Sequence, residues 1–563
     1  MLRQSQLKKQ RYSIFFFLIA VLTILTLCLI SNRGLDFTDE GLYLLFTNPA
    51  QEFKFSPTNY DIFFKIFYRY FNIKFSIQGL RILRIVLTFI GSVYFYFGTA
   101  KLVNKYVGSI NLTSVSHFLF FVSVGFFANY TFLIQTPGYN DFSLIGVQIF
   151  AGSMLLFHFS DKLSFYRILF YFISLYSGFL ILLLAKPTGI PFSIIFSFGL
   201  LLIDCEKRKL VRLLILWLAI AAITIFFPIS DRVSIAKYYE TFVIFNKNST
   251  QHALSALFFK SAFGLAFLIS GFFLGIILAR RLKNINKISS VNWLILMFLI
   301  IILFCFDYKR ALHLYGTTRN YYDIYIFSRI NYVLSFLLSL YLGNISYEKG
   351  VKMKTFLTLV FISFCLFLAS FFGTDGSFVS NFAKSFQFLL IVFYVLLPEK
   401  RLNRFAIIFS SLLFIKFLIT YCYLNPYNQE PFLSQTYKVQ YGDDQRNTVC
   451  LDAYSYESQN TFNKLISKYD TRYVLSFGNL NGNVYLANRV SPGSILVGTE
   501  DLSNFFKYKF NFPESFILAG TDLQCKKIFP YLTGYNNEHY TNEVIKMSGT
   551  IDLPLSFYFC KRK

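Results

Sequence analysis

The sequence predicts a polytopic, all-helical membrane protein with about 13 transmembrane helices, followed by a small α+β domain on the extracytoplasmic side. Three observations support this prediction. Of the 563 residues, 55% are hydrophobic and 20% are aromatic. Only 15% are charged, whereas soluble globular domains are about one quarter charged. The chain also contains repeated apolar runs of about 20 residues, which is the length that crosses a bilayer.

Each apolar run is predicted to form one span. The first run lacks a small-residue cleavage site followed by a soluble domain, so we expect it to be retained as a span. Pro187 separates the fifth run from the sixth, and these two could instead form one kinked hairpin. The predicted spans are residues 12–31, 79–100, 115–134, 142–159, 168–185, 188–203, 211–229, 261–279, 293–306, 329–345, 355–371, 385–398 and 405–424.

The net charge of +25 does not indicate nucleic-acid binding, because of where the charges lie. Residues 425–563 contain 14 basic and 13 acidic residues, so the excess lies mainly in the short loops between spans. Loops rich in Lys and Arg face the cytoplasm, and alternate loops carry basic clusters at residues 207–209, 280–281 and 400–401. We therefore expect a cytoplasmic N-terminus and an extracytoplasmic C-terminal part.

Two regions outside the spans have patterns of their own. Residues 59–75 mix aromatic residues with three basic ones, which is typical of a helix lying in the membrane interface. Residues 425–563 are predicted as a soluble domain, separate from the transmembrane domain of residues 1–424. Within it, Asn481-Gly482 favours a two-residue hairpin turn. The expected elements there are a helix at 461–469 and strands at 472–478, 484–488 and 553–560.

An acidic cluster follows the first predicted span, where residues 36–43 read DFTDEGLY. The first 424 residues contain only 16 acidic residues against 40 basic ones, so this cluster is not background. One interpretation is structural: Asp36 or Thr38 caps a helix through Phe46, whose dipole favours nearby carboxylates by about 0.3–1 kcal/mol. The other is catalytic, because acidic residues at a membrane are functional by default. Catalysis also explains their position outside the membrane, so we favour it.

The sequence Asp39-Glu40-Gly41-Leu42-Tyr43, in the first outer loop, resembles the Asp-Glu signature of the GT-C glycosyltransferases. Within that superfamily it is most similar to the protein O-mannosyltransferase-like and aminoarabinose-transferase-like branch. Residues 79–84 are similar to the Leu-Arg element that follows the loop in that branch. Thirteen spans and an outer C-terminal domain also fit that architecture. The family's His/Lys-Pro-Pro element is absent, and only Pro57 and Tyr60 stand near its place, which leaves the acceptor open.

The resemblance implies a hexosyl- or pentosyltransferase of the cell envelope, in the cytoplasmic membrane of a bacterium. Its donor would be a polyprenyl-phosphate sugar, and its acceptor a glycan, a lipid or a protein. Asp39 would be the catalytic base, with Glu40 as the second catalytic carboxylate. The base would take the proton of a poorly nucleophilic hydroxyl or amide. No cofactor is implied with certainty, and a divalent metal stays an open alternative.

The leaving phosphate of such a donor needs cations near the outer surface. Arg81 and Arg84 lie at the outer end of the second predicted span, and Lys186 lies at the outer end of the fifth. Arginine offers phosphate a two-pronged contact, and stabilising the leaving charge is a large catalytic contribution. The alternative is that each cation reaches toward lipid headgroups without binding substrate.

Residues 136–141 form a second candidate loop. Tyr139 is suited to stack on a sugar face, and Asp141 to bind sugar hydroxyls or to hold a metal with Asp39, although Pro137-Gly138 is also a plain turn signal. Weaker candidates are the Gly-rich residues 373–377 with Lys384, and the loop at 307–328. The substrate-binding candidates are Asp36, Tyr43, Arg81, Arg84, Tyr139, Asn140, Asp141 and Lys186.

Three other functions compete with transfer. A lipid or solute transporter or flippase also has 12 to 14 spans, but it usually shows paired halves and polar residues near the bilayer centre. Here Lys416 is the main polar residue within a span, and polar groups concentrate in the outer loops. A polysaccharide polymerase or ligase also uses lipid-linked sugars, and a non-catalytic scaffold is compatible with every residue.

Overall fold

A computed structural model shows a mostly helical chain with a small sheet region near the C-terminus, as the sequence predicts. It describes residues 2–37, 39–51, 58–106, 115–130, 134–160, 164–226, 261–282, 335–345, 347, 353–371, 384, 386–423, 429–442, 444, 446–477, 480–492, 512–544 and 554–563. The predicted span at 293–306 and the loops at 307–328 and 373–377 lie outside these residues.

Each predicted span that falls on the described residues coincides with a helix. Within the part of the chain that the structure describes, seven helices are long and apolar enough to cross a membrane: α1, α4, α6, α7, α9, α12, and α14 with its extension through Tyr423. Helices α2 and α3 lie in the first predicted outer loop. The helices are α1 Leu2–Ile30, α2 Asp39–Thr47, α3 Asp61–Phe71, α4 Ile77–Tyr106, α5 Val115–Asn129, α6 Tyr139–His158, α7 Phe165–Ala185, α8 Ile190–Gly199, α9 Lys207–Phe226, α10 Ser261–Leu282, α11 Ser335–Ile345, α12 Met353–Phe371, α13 Phe386–Leu396 and α14 Glu399–Leu418.

Glycines bring helices α4, α6 and α7 into close contact. Helix α4 meets α6 at Gly98 and Gly152, and α6 meets α7 at Gly146 and Gly178. A Cβ atom at Gly178 would lie 2.6 Å from the backbone nitrogen of Phe150, closer than real side chains come. Small residues of this kind let membrane helices pack backbone to backbone. These contacts pack α4, α6 and α7 side by side, and the predicted site residues of α4 and α6 lie near the N-terminal ends of those two helices.

The described residues of the C-terminal part form two sheets and three α-helices. The first two strands, at 437–440 and 448–451, pair antiparallel. The other four form one sheet in the order 474–476, 515–521, 554–562 and 535–544, in which the first two are parallel and the other neighbours antiparallel. The predicted strands at 472–478 and 553–560 coincide with strands of the structure, and the short helix predicted at 461–469 overlaps a longer helix that begins at Ala453 and ends at Ile466. The elements are β1 Tyr437–Gln440, β2 Thr448–Leu451, α15 Ala453–Ile466, β3 Val474–Ser476, α16 Asn481–Leu486, β4 Ser515–Thr521, α17 Asp522–Ile528, β5 Tyr535–Val544 and β6 Pro554–Arg562.

The predicted hairpin turn at Asn481-Gly482 and the strand at 484–488 are wrong, because this segment forms helix α16. The backbone N–H of Gly482 donates to the carbonyl of Phe37, 2.9 Å away, instead of joining a strand ladder. Local preferences for strands and turns are weak, and a tertiary hydrogen bond such as this one can override them. The partner here lies in the first predicted outer loop.

One hydrophobic core joins that loop to the C-terminal part. It combines Leu35, Phe37 and Leu44 from the loop with residues such as Phe462 and Phe557 from the C-terminal elements. This core crosses the boundary predicted between residues 424 and 425, and the division into two domains stays a prediction. Burial of this shared apolar surface is the main force that holds the C-terminal part on the loop.

Candidate functional site

The three carboxylates of the acidic cluster have different surroundings. Asp36 is buried, and its Oδ2 accepts the backbone N–H groups of Asp39 at 2.9 Å and Glu40 at 3.3 Å. It satisfies two amides at the start of α2 that have no partner within the helix. The capping interpretation is thus confirmed for Asp36, while its predicted contact with substrate stays a prediction.

Glu40 is enclosed by protein and is 2% exposed. Its Oε1 lies 3.0 Å from Nη2 of Arg81 and accepts the backbone N–H of Thr136 at 2.7 Å. Its Oε2 accepts the backbone N–H of Asp36 at 3.1 Å. Both oxygens are therefore engaged in holding the first loop against α4 and the 134–138 segment. This geometry gives Glu40 a structural role and leaves it poorly placed to accept a proton from substrate.

Arg81 completes that network. Besides Glu40, its guanidinium donates to the carbonyls of Ser31 at 3.0 Å, Arg33 at 2.9 Å and Gly34 at 2.5 Å. The side chain is buried among these acceptors. Because its donors are directed at protein oxygens, Arg81 fixes the chain where it leaves α1, and a phosphate would have to displace these contacts.

Arg84 and Asp141 form a second buried ion pair, with Nη2 2.6 Å from Oδ1. Arg84 also donates to the carbonyl of Ile134 at 2.6 Å, and its guanidinium lies 4.2 Å from the ring centroid of Tyr130. The other oxygen of Asp141 accepts the backbone N–H of Gly138 at 2.9 Å, which caps α6. Both residues therefore shape the 134–141 loop, and their predicted contacts with phosphate, sugar or metal stay predictions.

Asp39 differs from its two acidic neighbours. It is the first residue of α2, and its side chain is exposed. None of the described residues forms a hydrogen bond or an ion pair with its carboxylate. Its backbone N–H, by contrast, donates to Oδ2 of Asp36. Although one side is open to solvent, nearby protein desolvates the carboxyl and raises its pKa above the usual value. Asp39 is thus an accessible carboxylate with a raised pKa, carried on a backbone that Asp36 holds in place.

Aromatic rings extend from α2 toward Lys186. The ring of Tyr43 lies 5.8 Å from that of Tyr139 and 6.1 Å from that of Tyr60. The Nζ of Lys186 lies 5.7 Å from the Tyr139 ring centroid and donates to Oδ1 of Asn140 at 2.9 Å. Burial raises the pKa of both Tyr43 and Tyr60 well above 10, so both phenols are neutral at ordinary pH.

The structure therefore brings together four of the predicted substrate residues: Tyr43, Tyr139, Asn140 and Lys186. Lys186 is 4% exposed and also donates to the carbonyl of Phe371 at 3.2 Å, so it does not reach outward to lipid headgroups. Contacts from the C-terminal part were not predicted. Gln429, for example, donates to the carbonyl of Leu35 at 2.6 Å, and no sequence pattern signals so distant a pairing.

The sequence offers Asp39 and Asp141 as possible ligands of a metal ion. Within the described ranges, no group of three or more His, Cys, Asp or Glu residues is placed to hold a metal ion. Comparisons with protein-family models, curated proteins and solved structures find no match to this chain. The functional assignment consequently depends on the residues and geometry described above.

Proposed function

We propose that the chain is a membrane-embedded glycosyltransferase of the GT-C type, which moves a sugar from a polyprenyl-phosphate donor to an extracytoplasmic acceptor. The observation that supports this proposal most is that the three carboxylates of the acidic cluster differ in their partners and exposure. Asp36 and Glu40 are bound into the protein, while Asp39 stays accessible on a helix start that both neighbours hold in place. A general base needs this combination of fixed position and open access.

The proposed reaction is a single direct displacement at the anomeric carbon of the sugar. The acceptor oxygen forms a bond to the anomeric carbon of the sugar while its proton moves to the Asp39 carboxylate. The bond from that carbon to the phosphate oxygen breaks, and the polyprenyl phosphate leaves with the electron pair. The base and the leaving group lie on opposite faces of the sugar, so the configuration inverts. Because Asp39 is exposed, it can return the proton to solvent.

Lys186 is the cation that best fits the leaving phosphate. Contacts through Asn140 and Tyr139 join it to the aromatic group that ends at Tyr43, and Tyr43 lies one helical turn from Asp39 on α2. Arg81 and Arg84 instead direct their charges at Glu40 and Asp141. A positive group placed where negative charge develops lowers the barrier to transfer.

Replacing Lys186 by Ala should weaken binding of a sugar-free polyprenyl phosphate by more than tenfold, since losing one partner of a buried charge contact typically costs about 2–5 kcal/mol. Binding is measured by fluorescence titration of the purified variant in detergent. Lys101→Ala, which removes an exposed lysine of α4, is the control and should bind like the parent. Equal affinity of parent and Lys186→Ala would remove Lys186 from the phosphate site.

We further propose thirteen spans, with the N-terminus in the cytoplasm and residues 425–563 outside. The seven long apolar helices and the distribution of basic loops support this arrangement. Reporter proteins fused after residues 206, 282 and 425 should lie inside, inside and outside. The measurement is protection of each reporter from a membrane-impermeant reagent. A cytoplasmic reporter after residue 425 would place the C-terminal part on the wrong side for the proposed site.

A further inference from the structure

We propose that helix α16 positions Asp39 by docking on α2, which makes the C-terminal part of the chain a required component of the transfer site. This inference rests on the proposed function for the role of Asp39. The docking itself rests on contacts between the two ends of the chain. Helix α2 carries Asp39 at its first position and Gly41 in its first turn, and α16 carries Gly482 in its first turn.

The two helices meet backbone to backbone at Gly41 and Gly482. A Cβ atom at Gly41 would overlap the backbone nitrogen of Gly482, and a Cβ atom at Gly482 would lie 2.7 Å from the Cα of Phe37. Real Cβ atoms essentially never approach other atoms closer than 3.0 Å. Any side chain at either position must therefore push the helices apart. The displacement would fall within two residues of Asp39.

Hydrogen bonds hold this contact on both sides. Before α2, the N–H of Gly482 donates to the carbonyl of Phe37 at 2.9 Å. After α2, the side-chain amide of Gln51 donates to the carbonyl of Ser491 at 2.9 Å and accepts its N–H at 2.8 Å. Helix α2 is thus held at both ends by the segment that contains α16. A nine-residue helix is too short to be stable alone in water, so its position depends on these contacts.

A second set of contacts fixes the chain just before α2. The N–H of Gly34 donates to the carbonyl of Cys450 at 2.8 Å, and the N–H of Cys450 donates to the carbonyl of Asn32 at 2.7 Å. Strand β2, which contains Cys450, therefore fixes the segment between α1 and the acidic cluster. The backbone around Asp39 is therefore held on one side by Asp36 and on the other by α16. This matters for catalysis because a general base must lie within hydrogen-bond reach of the acceptor proton that it abstracts.

The test compares Gly482→Ala with Gly534→Ala. Gly534 lies in the same C-terminal part, and a Cβ atom there would meet no atom within 4 Å, so this control should behave like the parent. In Gly482→Ala, we expect the amides of residues 40–47 to exchange with deuterium at least tenfold faster. We also expect kcat for transfer of labelled sugar, from a panel of polyprenyl-phosphate hexoses and pentoses to acceptors in a membrane extract, to fall at least tenfold, with the KM for the donor changed less than twofold. A merely destabilised protein would instead lose active enzyme while the remaining fraction kept its kcat.

Gln51→Met provides a milder second variant, because it keeps the length of the side chain and removes both contacts with Ser491. In this variant, too, the amides of residues 40–47 should exchange faster and kcat should fall, both by a smaller factor than in Gly482→Ala. The docking role would be overturned if Gly482→Ala and Gly534→Ala had equal amide exchange rates and equal kcat. It would also be overturned if Gly482→Ala exchanged faster but kept the parental kcat. A parent protein that consumes none of the donors would overturn the proposed function instead, and the exchange data would still decide the docking.

Discussion

Replacing Asp39 by Asn should lower the rate of sugar transfer by about 10²–10⁴-fold, the usual loss when a general base is removed. The amide keeps the size and shape of the side chain, and the Asp36 cap binds only the backbone of residue 39. The start of α2 should therefore be preserved, and stability should change little. The measurement is loss of labelled sugar from the polyprenyl-phosphate donor, at equal amounts of folded protein.

Asp444→Asn is the matched control for Asp39, because it makes the same change at an exposed carboxylate whose partner is Arg446. It should transfer sugar at the parent rate. The pH profile gives an independent check. Only the ionised carboxylate accepts a proton, so activity should fall as the pH drops through the raised pKa of Asp39, at a higher pH than for an ordinary aspartate. Near-parental turnover by Asp39→Asn would eliminate Asp39 as the base.

Replacing Arg81 by Ala should destabilise the protein strongly, because it leaves the Glu40 carboxylate buried without its cation. Removing one partner of a buried ion pair typically costs about 3–5 kcal/mol, and three backbone carbonyls lose their donor as well. Arg81→Lys should restore only part of the loss, since an ammonium cannot reach the same set of acceptors. The measurement is the thermal unfolding midpoint in detergent.

Arg446→Ala is the control for Arg81, since Arg446 is 91% exposed in a surface pair and such pairs contribute little to stability. The sequence alone predicted a different outcome for Arg81, namely a direct contact with the donor phosphate. That prediction would be correct if Arg81→Ala kept the parental unfolding midpoint but bound polyprenyl phosphate less tightly. The structure instead leads us to expect the loss of stability, with Lys186 as the cation that governs donor binding.

Features that depend on neighbouring residues could be predicted from the sequence. Apolar runs of sufficient length predicted the helices. Of the two interpretations of the acids at 36–40, the capping interpretation, which the sequence did not favour over catalysis, places a helix start where α2 begins. The partners of the charged residues could not be predicted in this way. Glu40 and Arg81 are 41 positions apart, and Gln51 and Ser491 are 440 positions apart. A periodic pattern along the sequence cannot predict contacts between residues so far apart in the chain.

The same reason explains the error at Asn481-Gly482. The dipeptide favours a hairpin turn, but Gly482 lacks a side chain and can meet α2 at backbone distance. The glycine at this position therefore serves a tertiary contact rather than a turn. Asp36, Asp39 and Glu40 are alike in the sequence, as neighbouring acidic residues. Only their different partners in the structure separate exposed Asp39 from the two carboxylates that hold its helix start in place.

The most direct test of the proposed function is donor consumption by the purified parent protein in lipid vesicles. The donors are polyprenyl-phosphate hexoses and pentoses labelled in the sugar, supplied on the side that carries residues 425–563. We predict that label passes from at least one donor to an acceptor in an added membrane extract, with release of polyprenyl phosphate, and that with Asp39→Asn vesicles the label stays on the donor. Intact labelled donor that merely moves to the opposite leaflet, equally with parent and Asp39→Asn, would contradict transfer and identify a lipid transporter instead.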